Sequence, residues 1–148
     1  MTTSGFREID HTADVGLLIW ASSLDELFVQ AARGMCSLLL TADQDKFTPI
    51  ISEREQKTYP VELMSTSIDL LLREWLSELL YIHLTERIYF TDFDIGQVDD
   101  THVTAQVAGI EFSGENEHLF TEIKAVTYHG LEVTTDQDGF RAQVIFDI

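Results

Sequence analysis

Basic residues are scarce in this chain: nine Lys and Arg stand against 26 Asp and Glu, for a net charge of −17 over 148 residues. The nine are scattered from Arg7 to Arg141, with no cluster that would track a phosphate backbone, so broad direct binding of nucleic acid is excluded. The acidity serves solubility or docking to a basic partner. Cysteine is nearly absent. The single Cys36 cannot form an internal disulfide, and a reducing, cytoplasmic setting is the expectation. Apolar runs are short, and the one at residues 79–84 is interrupted by His83, so no membrane span is expected. Met1 leads straight into polar Thr2-Thr3-Ser4-Gly5, and no secretory leader is expected. Also lacking are a glycine-rich phosphate loop, Cys/His zinc spacing and a Gly-x-Ser-x-Gly elbow.

What remains is an ordinary globular composition, 45% apolar, long enough for one domain over residues 1–148 with a sizeable core. Residues 6–9 and 15–20 read as strands, separated by a polar turn. Ser23-Leu24-Asp25-Glu26 reads as a capping box opening a helix. Its apolar face is Leu24, Leu27, Phe28, Ala31, Met35, Leu38 and Leu39, with Gln30 off it. Residues 41–52 have no regular pattern, and residues 53–63 suit an extended strand that Pro60 places at an edge. Thr66 or Ser67 caps a second helix with core residues from Ile68 to Ile82, and Arg73, Glu74, Ser77 and Glu78 form its wet side. Strands dominate from Ile88 onward. Gly109 marks a bulge, residues 123–133 alternate as one extended segment with His129 on the apolar face, and Asp138-Gly139 marks a tight turn before a final strand. The fold class is therefore α+β, two amphipathic helices packed on a mostly antiparallel sheet, in two strand–helix–strand–strand modules.

The polar stretch Asp10-His11-Thr12-Ala13-Asp14-Val15-Gly16 and the closing Asp147-Ile148 carry the chemistry. If they meet, the carboxylates of Asp14, Asp147 and the Ile148 terminus form a hard-oxygen set suited to calcium, magnesium or manganese. On spacing alone, Asp14 serves equally as a turn residue and Asp147 as a frayed end. Asp10 is an outer-shell partner or a turn residue. His11 is a ligand, a base or a structural histidine. Lys124 is either an ion-pair partner of Glu122 or a contact to another molecule.

These motifs, with Ser23-Leu24-Asp25-Glu26-Leu27-Phe28, Ala31-Ala32, Gly34-Met35, residues 72–81, Thr121-Glu122-Ile123-Lys124-Ala125-Val126-Thr127-Tyr128-His129 and Val144-Ile145-Phe146-Asp147-Ile148, resemble the archease family. Ser22 departs from the glycine that such proteins usually carry there. The resemblance implies an accessory protein of the GTP- and manganese-dependent tRNA-splicing RNA ligase, promoting its guanylylation and repeated turnover. It also implies a divalent cation held by Asp14, Asp147 and Ile148, and a fold of strand–helix–strand–strand modules. Two other functions fit the same residues: a metal-dependent hydrolase with His11 as base, and a general chaperone-like binder with an exposed apolar patch.

Overall fold

The computed structural model describes residues 4–11, 14–40 and 55–148. In chain order these form β1 (Gly5–His11), β2 (Asp14–Ala21), α1 (Leu24–Leu39), β3 (Gln56–Met64), α2 (Ile68–Glu86), β4 (Ile88–Val98) and β5 (His102–Glu111). A 3-10 turn (Gly114–Leu119), β6 (Ala125–Val126), β7 (Glu132–Asp136) and β8 (Gly139–Asp147) follow. All strand pairs are antiparallel. One sheet runs β1-β2-β8, with β6 and β7 sharing the far edge of β8; the other runs β3-β5-β4. The α+β architecture, two helices with antiparallel sheets, is as expected.

The two modules share one topology. In β3–α2–β4–β5 the last strand lies between the other two, giving the order β3-β5-β4. In β2–α1–β7–β8 the order is likewise β2-β8-β7. The first of these is contiguous and sits between α1 and β7 of the second. A shared core joins them, since α1 packs against β2 and β8 of one sheet and β4 of the other. Trp75 of α2, wholly buried, donates its indole N–H to the Phe28 carbonyl of α1 at 3.0 Å. Truncating such an aromatic to alanine costs about 3–5 kcal/mol.

Local chemistry differs from the sequence reading in several places. Ser67, not Thr66, caps α2, its Oγ accepting from the Leu70 N–H at 3.3 Å. Ser23 caps α1 as expected, but the Glu26 carboxylate accepts from Gln30 Nε2 at 3.1 Å and from Ser4 Oγ at 3.4 Å. Gln30, expected off the apolar face, is buried there because this bond satisfies its amide. Arg73 is half-buried: its Nε donates to the Val126 carbonyl at 3.0 Å and its guanidinium lies 3.9 Å from the Tyr128 ring centre. The bulge expected at Gly109 lies opposite it on β4, where the register skips from Phe90 to Asp92. Gly109 is needed there because a side chain would collide with the Tyr89 carbonyl.

Residues 123–133 are not one extended segment. After β6 the chain turns, with Gly130 at a φ of 59°, before β7 resumes pairing with β8. Ile123 and Val126 are buried, whereas His129 is exposed rather than on an apolar face. The β7–β8 turn sits one residue earlier than expected, with Asp136 facing Gly139. Pro60 lies on edge strand β3 as expected. Residues 41–52 and the first two residues of the 53–63 segment lie outside the described residues.

His83, near the end of α2, is buried and bonded through Nδ1 to the Ile88 carbonyl at 2.8 Å. Burial holds its pKa below the ordinary 6.5, against the smaller opposing effect of that bond. A depressed histidine pKa means the unfolded chain binds the proton first. Stability from this group is therefore complete above pH 6.5 and falls as pH drops towards the folded value. Thermal melts from pH 7.5 to 5.5 should show this loss, and the His83→Gln variant should show a smaller fall over that interval. Equal falls in the two proteins would refute it.

Candidate functional site

The register of the first sheet brings the early motif and the last strand together. Asp14 opens β2 and lies directly opposite Asp147, the final residue of β8. Directly opposed residues on antiparallel strands share a face, with Cβ atoms about 4.5–5.5 Å apart. Both aspartates are half-buried, and Ile148 beside them is 42% exposed. On its other side Asp147 pairs with Ala125, and its carbonyl accepts the Lys124 N–H at 2.7 Å. Asp147 is therefore held from both flanks, and it is not a frayed end.

The sequence explains the placement. Val15, Leu17 and Ile19 alternate inward towards α1, as do Phe146, Val144 and Ala142. The alternate positions, including Asp14 and Asp147, must face the other way. Gly16 completes this arrangement: a methyl group there would approach Ile9 Cγ1 to 2.7 Å and Ile145 Cδ1 to 2.9 Å. These two side chains close over the glycine and lay an apolar floor one residue pair from the aspartates. Arg73 secures β6, which carries Lys124 to the corner. Neither contribution was evident beforehand, because a glycine and an arginine signal nothing about their cross-strand neighbours.

The remaining candidates separate. Asp10 pairs with Val15, so it lies on the opposite sheet face from Asp14, and it is exposed. The His11 backbone pairs with Asp14, while its side chain lies outside the described ones. Lys124 is exposed and takes part in none of the ion pairs found among the described residues, which are Lys57–Glu111, Arg73–Glu74 and Arg141–Asp136. Glu122 is exposed and lines a separate recess with His83 and Phe120.

Chemically, the corner offers two side-chain carboxylates and the Ile148 end. Among the described residues no three His, Cys, Asp or Glu side chains form a metal-sized cluster. Hard oxygen donors favour an oxygen-seeking divalent ion over zinc or copper. In donor type, Asp14 and Asp147 suit such an ion.

A model of the archease protein family matches residues 6–148. The chain is 36% identical over 148 residues to the protein archease of Methanothermobacter thermautotrophicus, covering 97% of this chain and 99% of that one. It is 32% identical over 147 residues to that of Methanosarcina barkeri, with 97% and 95% covered. The fold is similar to the solution structure of Methanobacterium thermoautotrophicum protein 1598, with a TM-score of 0.73, 31% identity, and 97% and 99% coverage. It is also similar, in fold alone, to the crystal structure of a Thermotoga maritima archease described as a possible chaperone, at a TM-score of 0.60 and 22% identity over 96% of each chain.

Like charges directly opposite across a strand pair destabilise a sheet. In a chelator at low salt, Asp147→Asn should therefore raise folding stability by about 0.2–1 kcal/mol, and added monovalent salt should shrink the gain. Denaturant unfolding measures both. A loss of stability under these conditions would show that the pair is not repulsive.

Proposed function

The chain belongs to the archease family, and from that membership we propose that it is an accessory protein, not an enzyme, that activates a tRNA-splicing RNA ligase. It promotes guanylylation of the ligase and its repeated turnover. In this reading Asp14, Asp147 and the Ile148 carboxylate hold a divalent cation: calcium, magnesium or manganese. The observation that carries the reading is the direct pairing of Asp14 with Asp147 across β2 and β8.

When bound, the cation would neutralise the two aspartates and supply a positive point at the edge of the sheet. The chain's own residues do the positioning. The β2–β8 ladder sets the spacing of the carboxylates, the Lys124 backbone fixes Asp147 from the other side, and Ile9 and Ile145 limit water on one flank. Lys124, exposed beside this corner, contacts the ligase or its nucleotide. A net charge of −17 complements a basic RNA channel and raises the encounter rate more than the affinity. Activation requires tighter binding to the guanylylation-competent ligase than to its resting form. The setting is cytoplasmic; among the described residues, no helix is long and apolar enough to cross a membrane.

Ligation by the purified ligase should be measured under single- and multiple-turnover conditions, with and without this protein. Both guanylylation and turnover should rise when it is present, and unchanged rates would overturn the proposal. Asp147→Asn, and separately a three-residue extension after Ile148, should lower divalent-ion affinity and activation by roughly ten- to a hundredfold, while melting stays cooperative. Full activity in both variants would remove the metal from the account.

A further inference from the structure

We propose that the recess between the end of α2 and the segment after β5 binds a small aromatic molecule carrying a ring N–H or O–H donor. The recess has a volume of about 350 Å3, within the range of small-ligand pockets. His83, Leu84 and Arg87 line one side; Phe112, Phe120 and Glu122 line the other. Its lining shares no residue with the aspartate corner, and the inference does not rest on the activity proposed above.

The walls are fixed by backbone bonds. The Phe112 N–H donates to the Arg87 carbonyl at 2.9 Å, and Arg87 turns the chain out of α2 with a φ of 54°. The Thr121 N–H donates to the Leu39 carbonyl at 2.7 Å, and Leu40 bridges to Phe120. Within this frame the rings of Phe112 and Phe120 lie 4.4 Å apart, and the His83 ring sits 5.3 Å from one and 5.5 Å from the other. The frame of the recess is therefore already formed, with Phe112 buried behind it and the half-buried Phe120 at its wall.

His83 supplies the specific feature. It is 4% exposed, and its one hydrogen bond among the described residues runs from Nδ1 to the Ile88 carbonyl. A carbonyl only accepts, so Nδ1 carries the proton and the neutral ring presents a lone pair at Nε2. No buried side-chain nitrogen or oxygen among the described residues lacks a partner. The unbonded Nε2 therefore meets solvent, and the solvent it meets is that of the recess His83 lines. Tying α2 to β4 needs only Nδ1; the open Nε2 is left over from that structural task. A donor-bearing ring satisfies it and packs against the Phe120 and Leu84 walls, whereas a plain hydrocarbon strips its water and returns no bond.

Indole, phenol and toluene are the probes, titrated separately into isotope-labelled protein while the His83 Nε2 and Leu84 methyl resonances are followed. Indole and phenol should give saturable shifts at both positions, and toluene should bind roughly fivefold or more weakly. Leu84→Trp, a change at a 53% exposed position outside the core, should fill the recess and abolish the shifts. No saturable shift at His83 with either donor probe, or toluene binding as tightly as phenol, would overturn the proposal. Shifts that persist in Leu84→Trp would place binding elsewhere and overturn it equally.

Discussion

The ladder between β2 and β8 is the constraint on which the rest depends. It joins residues 14–21 to residues 140–147, and it is the central pairing of the first sheet. One face of that pairing supplies Leu17, Ile19, Val144 and Phe146 to the core under α1. The other face carries Asp14 and Asp147. Because the side-chain period in a strand is two, the same register that buries the apolar set dictates where the aspartates stand. A slip of one residue in either strand would expose that strand's apolar set and turn its carboxylate inward. Selection for folding and for the acidic corner thus act on one alignment.

The second module supports this arrangement from behind. Trp75 bonds α1, while Arg73 of the same helix reaches the Val126 carbonyl in β6. A single helix thereby touches the core of the first sheet and the short strand that backs Asp147. The guanidinium also packs on Tyr128, so its anchoring combines a charge-assisted hydrogen bond with contact to an aromatic face. The acidic corner is thus backed by contacts that lie mostly outside it.

Much of this was legible in the residues. The helix faces, the capping serines, the edge position of Pro60 and the inward alternation of the last strand all follow from local periodicity. The failures have different causes: a side-chain bond within one helix, a partner distant in sequence, and a turn hidden in an alternating run. Gln30 reads as surface until Glu26 is seen to satisfy it, and Arg73 reads as surface until a carbonyl 53 residues away accepts its proton. Residues 123–133 alternate convincingly, yet the turn at Gly130 breaks them into two short strands along β8. Asp14 and Asp147 were legible as candidates by kind and by family pattern. Their adjacency was expected from the family pattern alone, since nothing local reports which strands pair.

The placement of one module inside the other also orders the chain's assembly. The segment β3–α2–β4–β5 has all its strands close in sequence and can pair as soon as residue 111 is available. The enclosing β2 has no β8 to pair with until residues 139–147 have been made, so the acidic corner belongs to a late, high contact-order step of folding. A chain that stops before β8 lacks the corner entirely. Possession of the site is in effect a certificate that the protein has been made to its final strand.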